Sequence, residues 1–441
     1  MNDLLALFVI TFFLSTGSLG AQTVRNPYRI HTPQHPTSAF IANVNGGGVP
    51  NLSPLTAGTP TSPSATRSVD TASAASLATV NEQLLSEAPA ASSQNEWTWM
   101  GGGSTGVNYS PRPGVYGTLG TPDAGNIPGG RADAVSWTDN SGNFWLFGGM
   151  GTDAIGSMGV LNDLWEFNSE TIQWTWMGGS STVGSNCALV SYCGQSGIYG
   201  TLYTFAAGNL PGGRSNAVKW TDSNGNLWLF GGYGYDANGD LGELNDLWKF
   251  NPAIRQWAWM GGSTTMHSKY RGMPGVYGVL GTPAPGNAPG GRTSAMSWVD
   301  SNGNFWLFGG VGFDSSGGFG DLNDLWKFDP PTNRWAWMGG SSTIGTICDH
   351  FNDCGYPGVY GALGTPASGN IPGSRLLAVT WVDSSGRVWL FGGTGFDAGG
   401  AWGPLNDLWA FFPSTSQWAW MGGSSTIRSN GFGQLGVYGT L

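Results

Sequence analysis

Few residues in this chain could do acid–base or metal chemistry. Only four His occur among 441 residues. His31 and His35 have the spacing at which a helix would place two rings on one face, but Pro33 stands between them and opposes a helix. His267 and His350 stand alone. No Ser-His-Asp constellation or phosphate-binding loop is present. The carboxylates are more regular. Asp153, Asp236, Asp314 and Asp397 each sit in a Gly-x-Asp-x-x-Gly loop, and an Asp follows Leu-Asn at Asp163, Asp246, Asp324 and Asp407. An Arg recurs too, at Arg131, Arg214, Arg292 and Arg375. With 10% charged residues overall, a recurring Arg and a recurring Asp suggest a structural hydrogen-bonded pair. A ring of Arg holding an anion is the other reading. The run from Asp236 to Asp240 has calcium-loop character, but the other repeats lack it. No metal site or cofactor is expected.

The four Cys form two equally spaced pairs, Cys187 with Cys193 and Cys348 with Cys354. Four Cys allow three pairings. Outside the cell, the two local bridges are the favoured set. A zinc site is disfavoured, because no Cys-x-x-Cys is present.

The elements that carry these residues are short and repeated. With 75 Gly, 23 Trp and no sustained helical periodicity, the composition fits many short strands joined by tight turns. Residues 304–340 read NFWLFGGVGFDSSGGFGDLNDLWKFDPPTNRWAWMGG, and nearly the same text stands at 143–179, 226–262 and 387–423. Each repeat parses into four strands. Strand a opens at the recurring Arg and ends at a turn such as Asn224-Gly225 or Asn302-Gly303. Strand b is the FWLF-type run, ending at Gly148-Gly149, Gly231-Gly232, Gly309-Gly310 or Gly392-Gly393. Strand c is NDLW-x-F. Strand d holds two Trp at i and i+2, beginning at Trp174, Trp257, Trp335 and Trp418. Both Trp share a face. Packing between neighbouring sheets is their expected role, and stacking on sugar rings is the alternative.

These units resemble kelch repeats, and the resemblance covers roughly residues 96–441. It implies an all-β, kelch-type β-propeller, the architecture also found in the central domain of galactose oxidase. The expected blades are about 131–179, 214–262, 292–340 and 375–423. Residues 96–102 repeat strand d without an a, b and c set of their own, an orphan strand. The resemblance does not bring a copper centre, because no His falls in a blade strand. The Trp-x-Trp-Met strands recur every 77 to 83 residues, which leaves each about 50-residue kelch unit with roughly 30 extra residues. The a, b and c strands that would complete the orphan strand's blade do not follow Leu441, so either truncation or an irregular four-bladed propeller is expected.

The extra residues form inserts between strand d and the next strand a. Each carries Gly-(Val/Ile)-Tyr-Gly, at Tyr116, Tyr199, Tyr277 and Tyr360, and later Gly-Asn-x-Pro-Gly. Long loops are usually functional or self-structured. A motif repeated in every loop favours self-structured inserts, with Tyr as a small hydrophobic anchor. The inserts and the Gly-x-Asp-x-x-Gly loops emerge on one face. Kelch proteins commonly bind partners through such loops, so the resemblance implies a binding face that includes these Tyr and Asp153, Asp236, Asp314 and Asp397.

Residues 1–21 contain an apolar run from Leu4 to about Leu14 and Ser18-Leu19-Gly20, a small-x-small cleavage pattern. A secretory signal peptide is expected, although the n-region carries Asp3 and no basic residue. An uncleaved anchor is the alternative. Residues 22–95 are rich in Ser, Thr, Ala and Pro and read as a disordered linker. A net charge of −10 makes nucleic acid an unfavourable partner. The expectation is a secreted, non-enzymatic binding or adhesion scaffold for a protein or glycan, with no stable membrane span after cleavage. Two rivals stand beside it: a carbohydrate-binding or carbohydrate-active propeller using the loop carboxylates, and a purely structural surface protein.

Overall fold

The computed structural model describes residues 98–103, 111–187, 192–267, 272–349, 353–427 and 433–434. The chain divides into two units. One is Thr32–Gly101, of which Thr98–Gly101 are described, and the other contains Gly102–Leu441. The expected signal peptide, most of the linker, His31, His35, His350 and Trp97 lie outside the described residues. Of the expected orphan strand, Thr98–Gly102 carry no strand assignment.

The described residues are all-β, with no helix. The first repeat contains β1 (Arg131–Ala132), β2 (Val135–Thr138), β3 (Phe144–Phe147), β4 (Met150–Thr152), β5 (Met158–Val160), β6 (Leu164–Asn168) and β7 (Gln173–Gly178). β2, β3, β6 and β7 make a four-stranded antiparallel meander, the expected a-b-c-d order. Three more sheets repeat it. The second is Val218–Thr221, Leu227–Phe230, Leu247–Asn251 and Gln256–Gly261. The third is Met296–Val299, Phe305–Phe308, Leu325–Asp329 and Arg334–Gly339. The fourth is Val379–Val382, Val388–Phe391, Leu408–Phe412 and Gln417–Gly422.

Strands a and b are each broken in two, which the sequence did not suggest. Strand a is interrupted by one residue with positive φ: Asp133, Asn216, Ser294 or Leu377, at 51° to 59°. Strand b is interrupted at its Gly-Gly pair, where Gly309 and Gly310 have φ of 64° and 89°. The Gly pair is therefore a kink, not an end. Beyond it the backbone continues as β4 and pairs with β1 and β5 in a separate small sheet. The Gly-x-Asp-x-x-Gly loop is thus the tip of a β-hairpin. The same break occurs in every repeat, with three-stranded small sheets in the second to fourth.

Neighbouring meanders pack face to face in chain order, in a propeller-like manner. Trp137, Trp145 and Phe147 of the first sheet share a core with Leu227, Leu229, Phe250 and Trp257 of the second. Equivalent cores join the second to the third and the third to the fourth. The first Trp of strand d lies between sheets, as expected: Trp257 meets Phe147 at 5.5 Å and Trp335 meets Phe230 at 5.4 Å. The second Trp packs against the margin of the same cores, as Trp259, Trp337 and Trp420, and meets the insert as well. Trp259 stands edge-on to Tyr199 of the insert at 5.7 Å, and its indole donates to Gly261 O.

The inserts cover the outer edge of each sheet. Gly120 N–H donates to Trp176 O, and Asp123 bridges to Trp174. Asn126 donates its amide to Trp174 O and Thr121 O, fixing the insert to that strand. Each insert precedes the sheet whose edge it closes, and the pattern recurs at Asn209, Asn287 and Asn370. Capping an edge strand this way removes a row of unpaired backbone groups.

Candidate binding surface

The recurring polar residues converge on one buried node per repeat. In the third repeat Arg292 grips Asp324 with two parallel hydrogen bonds, of 2.6 and 2.8 Å. The same carboxylate accepts from Tyr277 Oη at 2.6 Å and from the Trp326 indole at 2.7 Å. Arg292 also donates to the carbonyls of Gly290 and Gly309, the latter in the Gly-Gly kink. Arg292 and Asp324 are fully buried. Arg131–Asp163, Arg214–Asp246 and Arg375–Asp407 repeat the arrangement. The expected structural Arg–Asp pair is therefore present, and the guanidinium groups do not form an open anion site.

Electrostatics follow from burial and pairing. Burial opposes the charge on Arg292, but Asp324 outweighs it and raises the pKa. Burial likewise opposes ionisation of Asp407. Arg375, Tyr360 and Trp409 overcome this and hold the carboxyl below its usual range. Tyr277 is pushed well up, first by burial and then by the adjacent Asp324 carboxylate.

These nodes correct the expected binding residues. Tyr116, Tyr199, Tyr277 and Tyr360 are not on an exposed face. Each is buried against Trp and tied to its Asp. Asp153, Asp236, Asp314 and Asp397 are buried too. Asp236 Oδ1 accepts the amides of Asn238 and Asp240, closing its own hairpin, and Oδ2 accepts Met266 N–H from the following insert. Asp153, Asp314 and Asp397 do the same. Backbone amides thus engage both carboxylate oxygens, and each Asp serves a different hairpin. Among the described residues, no group of three or more His, Cys, Asp or Glu could hold a metal ion.

The hairpins and inserts do lie together. Gly114 N–H donates to Asp153 O, and Ala154 N–H donates to Ser181 O. The residues this surface exposes are aliphatic ones beside the buried Tyr. Val115, Ile198, Val276 and Val359 precede it, and Leu119, Leu280 and Leu363 follow it; all are more than half exposed. The sequence reading missed them. A usable signal existed: the Tyr-to-Asp spacing is 47 residues in every repeat although the repeats differ in length. A spacing that strict points to a packed contact, which turns the flanking residues outward.

Cys187–Cys193 and Cys348–Cys354 are disulfide-bonded, each across directly opposed residues of a short hairpin in alternate inserts. No described helix is long and apolar enough to cross a membrane.

Two further carboxyls are buried at equivalent places in the small sheets. Burial pushes Glu243 up to about 7. Asp321 is raised to about 8 by burial, with Asp353 and Asp349 adding to the effect and a hydrogen bond from the Trp402 indole opposing it. A carboxyl raised in the folded state binds its proton more tightly there than in the unfolded chain, where its pKa is about 3.9. Stability from Asp321 is therefore present below about 4 and lost as pH rises towards 8. Asp321→Asn is expected to flatten this decline by at least about 1.4 kcal/mol, the equivalent of one pKa unit. Urea unfolding at a series of pH values checks it. An unchanged slope would contradict the burial argument.

No protein-family model and no curated protein matches the chain. Among solved structures it is similar to one titled "Structure of YjhT", with 16% identity and a TM-score of 0.39 over 70% of this chain and 75% of that one.

Proposed function

We propose that this chain is a secreted, non-enzymatic, kelch-type β-propeller scaffold of four blades that binds a partner protein through its inserts. The supporting observation is an exposed Val or Ile before each of the four buried Tyr, and an exposed Leu after Tyr116, Tyr277 and Tyr360. Scattered exposed aliphatics are ordinary, but a set repeated at one position in each insert forms an apolar surface of the kind that marks interaction sites. The two disulfides stiffen inserts on this surface and accord with an oxidising compartment. The apolar run near the start of the chain accords with export.

A protein partner suits this surface better than a glycan. Sugar rings stack on exposed aromatic faces, whereas Trp257, Trp335 and Trp418, three of the four first Trp of strand d, are taken up by packing between sheets. Catalysis on a glycoside would call for two carboxylates flanking one bond. The loop Asp residues instead serve separate hairpins.

The test is binding of the full chain to arrayed proteins and glycans, alongside the triple variant Leu119→Ser, Leu280→Ser, Leu363→Ser. Protein ligands weakened about tenfold or more by the variant, at an unchanged melting temperature, are expected. Glycan ligands alone, or protein ligands indifferent to the variant, would reject the reading.

A further inference from the structure

Among the described residues, the four sheets end in two uncovered faces, and these are the two halves of an interface the chain has already built three times. On the fourth sheet, Val379 is 62% exposed, whereas its counterparts Val135, Val218 and Met296 are 3–4% exposed. Phe391 is 46% exposed, against at most 1% for Phe147, Phe230 and Phe308. Trp381 shows the same contrast. On the opposite side of the array, Phe144 of the first sheet is 48% exposed, while Leu227, Phe305 and Val388 at that position are 0% exposed. Inside the chain the first set always packs against the second.

The backbone is complementary in the same sense. At each internal junction the Arg that opens the next repeat donates its N–H to a Leu carbonyl of the previous hairpin and accepts from the previous Gly-Gly pair. Arg214 N–H bonds Leu161 O, and Gly149 N–H bonds Arg214 O. A third bond links the positive-φ residues in series: Asn216 to Asp133, Ser294 to Asn216, Leu377 to Ser294. Among the described residues this ladder stops at Leu377 O, Leu405 O and Gly393 N–H on one side. On the other it stops at Asp133 N–H, Arg131 N–H and Arg131 O. Donors on each side match acceptors on the other.

We propose that the uncovered face of the fourth sheet docks on the uncovered face of the first sheet of a second copy of this chain. The contact is head-to-tail, so it propagates into a chain or closes into a ring. Its apolar part is the Val379–Trp381–Phe391 surface against Phe144, Leu146, Phe167 and Trp174. Its polar part is the three-bond ladder continued between copies.

Sedimentation velocity of the full chain over a range of concentrations tests it, using two face variants. Val379→Glu blocks the fourth-sheet face, Phe144→Glu the first-sheet face. Trp381→Gln serves as an independent block, and thermal melts establish that each variant folds. The wild type is expected to gain mass with concentration beyond one chain, and each variant to remain a single chain. An equimolar mixture of Val379→Glu and Phe144→Glu restores pairing, but only to the mass of two chains, because each partner keeps one working face. A wild type that stays a single chain at every concentration overturns the proposal. In that case, protection of Trp381 from hydroxyl-radical oxidation would show that the face is covered within a single chain. A mixture that fails to pair, or a folded variant that still associates alone, overturns the head-to-tail geometry.

Discussion

Asp324→Asn is expected to cost about 3–5 kcal/mol of folding stability, because it leaves the Arg292 guanidinium buried without its counter-charge. Arg292 and Asp324 are both fully buried, and the carboxylate also accepts from Tyr277 and Trp326. An amide retains the shape but offers one acceptor oxygen where two serve four donated bonds. The same Arg anchors the Gly309 carbonyl, so the loss spreads to the kink between the two halves of strand b. Tyr277→Phe removes one bond to the node and leaves the ion pair in place, and about 1 kcal/mol is its expected cost. Equilibrium urea unfolding of the two variants separates these values. A cost below about 1 kcal/mol for Asp324→Asn would mean that water reaches the node.

Gly310→Val is expected to cost about 3 kcal/mol or more, through two effects that a control separates. The first is backbone conformation. Gly310 has φ of 89°, where a β-branched residue is a genuine outlier. The second is space. A Cβ on Gly310 would lie 2.7 Å from Thr293 O and 2.9 Å from Ala295 Cβ. Gly303 has a φ of 79° and nothing within 4 Å, so Gly303→Val bears only the conformational cost. Gly310 N–H also makes the bond to Arg375 O that joins the third repeat to the fourth. Gly310→Val should therefore lower the melting temperature well beyond Gly303→Val. Equal losses would show that the kink is not packed against its neighbours.

Much of the fold was legible because it is local. The a-b-c-d order followed from alternating apolar runs and from Asn-Gly and Ser-Gly turns. The Cys pairs were legible from their common spacing of six residues. What was not legible depends on contacts distant in sequence. Asp123 bridges Trp174 and Ala206 bridges Trp257, so the inserts' role as edge covers is set by pairing across some fifty residues. Tyr116 looked like an anchor at a loop surface, and only its bond to Asp163 shows that it belongs inside. The break in strand a was readable at Asn216, a residue type that tolerates positive φ, but not at Leu377. β5 and its counterparts gave no strand signal, because runs such as Phe319–Asp321 are short and lie among glycines.

Stability rests on the buried Tyr–Asp–Arg nodes, and the proposed binding rests on the exposed aliphatic residues of the same inserts. Two variant sets measured side by side against one protein ligand test this division directly. One carries Tyr116→Phe, Tyr199→Phe, Tyr277→Phe and Tyr360→Phe. The other carries Leu119→Ser, Leu280→Ser and Leu363→Ser. The Tyr set is expected to lower the unfolding midpoint and leave the dissociation constant unchanged, while the Leu set is expected to weaken binding and leave the midpoint unchanged. Loss of binding in the Tyr set at an undiminished midpoint, with the Leu set binding as the wild type does, would contradict it.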